Sequence, residues 1–93
     1  MNLSRTKIDN IDPVKALVNL TELQISGTAI TSINALSNLS NLTWLDLSRT
    51  EISDFSPVAN LLNLKHLDVR NCSKLSLNWW QYIPRGCDVW DRN

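Results

Sequence analysis

The sequence predicts a short α/β repeat solenoid of about four coils. Short strands lie parallel along one side of a curved coil, and turns with short helical or 3₁₀ segments make up the rest. Two observations carry this. The chain repeats itself every 22 residues, and each repeat contains one alternating apolar tripeptide. In rows of 22, Leu17 to Asn38 reads "LVNLTELQISGTAITSINALSN", Leu39 to Asn60 reads "LSNLTWLDLSRTEISDFSPVAN", and the third row opens "LLNLKHLDVRNCSKLSLNWWQY". Leu17, Leu39 and Leu61 align, as do Leu20, Leu42, Leu64 and Leu23, Leu45, Leu67. Ile25, Leu47 and Val69 follow, then Ile30 with Ile52, Ile33 with Phe55, and Leu36 with Val58. The opening segment fits the same grid through Leu3, Thr6, Ile8, Ile11 and Val14.

Each element of a row has a physical reason. The "L-x-L" around Leu45 and Leu47 alternates with period two, the signature of a strand about three residues long. Segments such as "DFSPVANL" suit a short helical turn: Ser53 or Asp54 is placed to cap it, and Pro57 fits a first turn because its missing N–H is one of the orphans anyway. A single row cannot bury its apolar face. Stacked rows turn each column into a continuous ridge and close a core, with parallel strands roughly 4.8 Å apart.

The pattern L-x-x-L-x-L-x-x-(N/C/T)-x-I resembles the leucine-rich repeat. The 22-residue period with "I-x-D-x-x-P-V-x-N-L-x-N-L" resembles its internalin-like and phosphatase-regulator-like class. The resemblance runs clearly from residue 1 to about 75 and loosely beyond. It implies a right-handed solenoid with a parallel concave sheet, 3₁₀ segments on the convex side, and work as a protein-binding scaffold instead of an enzyme. One slot departs from the pattern: where Asn is usual, Thr6, Thr28, Thr50 and Cys72 stand. A threonine hydroxyl still donates to a nearby loop carbonyl, so the hydrogen-bond ladder is expected to survive. Asn19, Asn41 and Asn63, with Asn38 and Asn60, are expected to hold turn backbone and not to read a partner.

Bulk properties exclude several function classes. Ninety-three residues make one small domain that buries about 60 to 65% of its unfolded surface. Its expected divisions are a partial coil at 1–16, repeats at 17–38, 39–60 and 61–78, and a C-terminal cap at 79–93. Nine basic and nine acidic residues cancel, which argues against nucleic acid and anionic membrane as partners. No apolar run is long enough to span a bilayer, and the opening "MNLSRTKIDN" has no apolar signal-peptide region. An intracellular setting is therefore favoured unless the chain is a fragment. Cys72 and Cys87 are too few for a disulfide framework and are expected to stay reduced. No cofactor is implied.

Residues flanking the core positions of each strand point out on the concave face. These are Glu22, Gln24 and Ser26, then Trp44, Asp46 and Ser48, then His66, Asp68 and Arg70. The expected partner-binding set is Glu22, Gln24, Trp44, Asp46, His66, Asp68 and Arg70. Trp44 is the sharpest member, because Trp is enriched at binding hot spots and its column partners, Glu22 and His66, are polar. The plainer alternative lays its ring over Thr43 or Lys65. Asp46, His66 and Asp68 also suggest a carboxylate pair with a histidine. They lack an enclosed pocket, a nucleophile and a third fixed ligand, so a charge ladder or interface is the better reading.

The tail breaks the pattern. Lys74 and Leu75 suggest an inserted residue, and Trp79, Trp80, Tyr82 and Trp90 are expected to cover the last coil, in preference to forming a partner patch. Cys87–Trp90 is expected to add an irregular final strand after a turn at Gly86. Met1–Leu3 is expected to leave an open edge and an uncapped core. That end supports the alternative function: a structural end piece, or a self-associating fragment of a longer repeat protein.

Overall fold

The computed structural model describes residues 1–76 and 78–91. Among the described residues, four three-residue strands form one parallel sheet in sequence order: β1 Glu22–Gln24, β2 Trp44–Asp46, β3 His66–Asp68 and β4 Asp88–Trp90. The register is the repeat itself. Leu23 faces Leu45, Leu45 faces Leu67, and Leu67 faces Val89. Asn2 extends the sheet by a single bridge to Gln24, so the opening residues make a fragment of a strand. Four 3₁₀ segments return the chain between strands: Asp12–Ala16, Asn34–Leu36, Ser56–Asn60 and Trp79–Tyr82. All the helical turns among the described residues are 3₁₀, since each row leaves too few residues between turns for an α-helix.

The core is the set of columns. Leu23, Ile25, Leu45, Leu47, Leu67 and Val69 are buried from the strands, and Ile30, Ile33, Leu36, Ile52, Phe55 and Val58 from the returning side. Leu39, Leu42, Leu61 and Leu64 close the approach to β2 and β3. The threonine slot closes each coil locally: the hydroxyls of Thr6, Thr28 and Thr50 donate to the carbonyls of Leu3, Ile25 and Leu47. Cys72 instead sends its thiol to Leu47, one coil back, at 3.1 Å. Burial pushes the pKa of that thiol up, and both cysteines are free. Asn41 and Asn63 donate side-chain amides to Val18 and Ser40 of the preceding coil, as the turn-ladder reading requires.

Just past the opening bridge at Asn2 and past β1, β2 and β3 the backbone enters the left-handed region, at Arg5, Gly27, Arg49 and Asn71. The N–H groups of Arg5, Gly27 and Arg49 still donate across the sheet, to Ser26, Ser48 and Arg70 carbonyls. The chain thus turns its corner without dropping a ladder bond.

Three local expectations need correction. Neither Ser53 nor Asp54 caps the helix; Asp54 Oδ1 accepts from Ser56 N–H two residues on, and Asn10 and Ser32 repeat that turn with Asp12 and Asn34. The Leu67–Val89 register retains the 22-residue spacing, so the disturbance at Lys74 and Leu75 adds no net residue before the last strand. That strand, Asp88–Trp90, is a regular parallel member of the sheet, entered through Gly86 at φ +76°.

Candidate functional site

The concave sheet gathers the predicted site residues along three strands. Glu22, Trp44 and His66 share one row, and Gln24, Asp46 and Asp68 the next. Their environments differ sharply. Trp44 is 40% exposed and Trp90 43% exposed, while Asp68 is only 4% exposed.

Trp44 finds a ring neighbour across the strands. Its ring packs on His66, centroid to centroid 4.4 Å, tilted by 43°. His66 meets Trp90 edge-on, also at 4.4 Å. The imidazole is held between two indoles, and its Nε2 is buried with no hydrogen-bond partner among the described residues. The guanidinium of Arg70 then stands 5.0 Å from the Trp90 centroid. An aromatic row, Trp44–His66–Trp90, thus crosses three strands, stepping diagonally from His66 to Trp90, the register partner of Asp68, and ends on a cation. Flat rings on adjacent strands bring large apolar area to a surface without flexible stems.

The aspartates serve the backbone first. Asp46 Oδ1 accepts from the N–H and the hydroxyl of Ser48, and Asp68 Oδ1 accepts from Arg70 N–H. Asn2 makes the same turn with Ser4. Arg70 closes on Asp68, with Nη2 2.7 Å from Oδ2 and Nε 3.0 Å from Oδ1. Burial alone would raise the Asp68 carboxyl, but its hydrogen bonds and ion pair with Arg70 outweigh that and hold its pKa below the usual carboxylate value. Both carboxylates therefore have oxygens committed to their own coil. Among the described residues no group of three His, Cys, Asp or Glu side chains is arranged to hold a metal ion.

The tail aromatics divide. Trp79 is half-buried, edge-on to Phe55 at 6.1 Å, and with Tyr82 and Ile83 packs on the core. Trp80 is exposed, and Trp90 faces the concave row. Trp90 belongs to the final strand that the sequence predicts, but its ring, expected to cover the last coil, turns to the concave side. Its 22-residue spacing from Asp68, an outward position, is the signal for that orientation.

An open parallel coil with a shallow, side-chain-rich sheet face defines a repeat scaffold. The leucine rich repeat family matches residues 1–52, more than half the sequence, and the chain belongs to that family. Proteins built this way generally mediate protein–protein interactions. Two solved structures share the fold over nearly the whole chain. Internalin C2 of Listeria monocytogenes is 21% identical with a TM-score of 0.76, covering 99% of this chain and 49% of its own. An internalin (InlF) of the same organism is 20% identical with a TM-score of 0.69, covering 97% and 40%. This chain therefore spans about half the length of those relatives, or less. No curated protein sequence matches it. No helix among the described residues is long and apolar enough to cross a membrane.

Proposed function

We propose that the chain recognises a protein partner through its concave sheet, with the binding energy centred on the row Trp44–His66–Trp90. Glu22, Gln24, Asp46, Asp68 and Arg70 surround that row and set orientation. The observation that carries this reading is the stacked, half-exposed Trp44 on His66, whose buried Nε2 has no partner within the described residues. Strand positions hold these rings in place, so little ordering entropy is lost on binding. Arg70, fixed by Asp68, is worth more as a positioned donor than a free side chain would be.

Trp44→Ala should cost about 2 kcal/mol of affinity, roughly thirtyfold, and leave the fold intact. Asn41→Ala is the contrast, since it removes the amide that ties its coil to Val18 and should lower stability first. Isothermal titration against a partner isolated by pull-down compares the two. Wild-type affinity in Trp44→Ala, with loss of binding on changing Trp79 and Trp80, would move the interface to the tail.

A second reading rests on the opposite end. Met1, Leu17 and Val18 are exposed, and with Ala16 and Leu20 they line an apolar recess of about 430 Å³. Self-association, or a preceding coil, would cover it. Light scattering should show mass rising with concentration, and one polar capping coil fused ahead of Met1 should suppress it. A clean monomer at millimolar concentration without the cap would reject this reading.

A further inference from the structure

We propose that a second recess, beyond the C-terminal ends of the strands, receives the carboxylates of an acidic segment of the protein partner, held by Arg5 and Arg49. This rests on the reading that the concave face binds a protein. The recess measures about 330 Å³ and is lined by Arg5, Ser26, Asp46, Ser48, Arg49 and Arg70, with Asn71 at its edge.

Its arginines stand where the backbone does not favour them. Arg5 has φ 60° and Arg49 φ 58°, in the column otherwise filled by Gly27 at 70° and Asn71 at 60°. Glycine and asparagine enter this region easily; an arginine does so against the contact of its Cβ with the next carbonyl. A strained position that still carries a long charged side chain points to a use for that side chain. Its use is not internal. Arg70 closes on Asp68, but Arg5 and Arg49 make no ion pair or side-chain hydrogen bond among the described residues. The stem of Arg5 lies over Gly27, its Cγ 3.5 Å from where a β-carbon would stand.

The floor is already satisfied and firm. Ser48 Oγ lies 2.7 Å from Asp46 Oδ1 and 2.8 Å from Ser26 Oγ, and Ser26 N–H donates to Ser4 Oγ at 3.0 Å. Asp46 accepts from Ser48 but keeps its negative charge, and Asp68 is paired to Arg70. A visitor therefore meets the two strained arginines against the one carboxylate of Asp46, a net single positive charge. The guanidinium fork matches a carboxylate with two parallel hydrogen bonds. Arg5 and Arg49 sit two coils apart, about 10 Å along the sheet, a distance that an extended chain covers in about three residues. The matching ligand is an extended segment with acidic residues about three apart.

The test uses a fluorescein-labelled peptide with glutamate at every third position between glycine and serine, and its glutamine counterpart. At low salt the intact chain should bind the glutamate peptide at least tenfold more tightly, with the gap shrinking as salt rises. In the double variant Arg5→Gly/Arg49→Gly the gap should vanish while the melting temperature does not fall, because glycine suits both positions. Lys15→Gln/Lys74→Gln removes equal charge elsewhere and should keep the gap. A gap retained in the arginine variant, or lost equally in the lysine variant, overturns the proposal. Complete displacement by millimolar inorganic phosphate would also overturn it by marking a lone-anion site. Trp44→Ala should leave the peptide gap intact. If the partner protein is indifferent to Trp44→Ala, the concave-row reading falls; if the arginine variant alone behaves like wild type, the recess proposal falls and the row stands.

Discussion

Leu17 and Leu61 occupy the same slot of the repeat and meet opposite surroundings. Leu61 has a coil on each side and is fully buried, whereas Leu17 is 39% exposed. The same holds for Met1, which is exposed, against Leu45 in the same column, which is not. At the far end, Trp79, Tyr82 and Ile83 cover the core that the last full coil would otherwise open. The slot is thus constant and apolar, and the neighbour decides its worth. In a stack, each unit stabilises mainly through the two it touches.

Substitution within one column measures that difference directly. Leu45→Ala, in the middle coil, should cost roughly 2 to 5 kcal/mol, enough to unfold or nearly unfold so small a domain. Met1→Ala, at the bare end, should cost less than about 1 kcal/mol. Urea melts followed by circular dichroism compare them; equal losses would show that the first coil is as tightly built as the third.

Acid should reverse the ranking of the two ends. The backbone turn is capped by Asn2 after the opening bridge, but by Asp46 and Asp68 after β2 and β3. The returning turn is likewise held by Asn10 and Ser32 early, and by Asp54 later. The backbone N–H and hydroxyl of Ser56 hold the Asp54 carboxyl below its ordinary value, and Arg70 holds Asp68 low against the opposing effect of burial. A lowered folded pKa stabilises at pH above the unfolded carboxyl value, about 4, and that contribution is lost as pH falls through the folded value. Amide protection, corrected for the intrinsic exchange rate at each pH, should therefore fall first around Asp54 and Asp68 below about pH 4, not around Asn2 and Asn10. Asp68→Asn should lower stability at pH 7 and remove part of the acid response.

The smallest expected effect is a gain. Arg49→Gly should raise stability by about 1 kcal/mol or less, since relief of a left-handed arginine is partly offset by glycine's freer unfolded chain. A clear loss of stability would mean that the Arg49 stem contributes packing.

The columns of leucine made strands, register and core legible in the sequence, because burial of a repeated apolar position follows from period alone. Depth on the concave side did not follow. Asp68 and Trp44 stand on neighbouring strands of one face, yet the first is nearly sealed by Arg70 and the second is open. Period assigns a face; it does not show which side chains cover one another. His66 between two indoles required knowing that the final strand keeps the repeat's register and turns the Trp90 ring to the concave side, a spacing that the tail's irregular composition hid. The left-handed corner was half-written: Gly27 and Asn71 in one column signal it, while Arg5 and Arg49 mask it. The helical returns came out as 3₁₀ because the available length, not the capping residues, set their form.

Strand partners throughout the sheet lie 22 residues apart, from Glu22 with Trp44 to Asp68 with Trp90. For a chain finding its structure, this means that no pairing requires closing a longer loop than the one before it. Loop closure then costs nearly the same entropy at each step, and growth from any formed pair proceeds by equal increments. A duplicated 22-residue unit would add one more such increment and leave the others unchanged. The array can thus gain length without gaining a slower step in its folding.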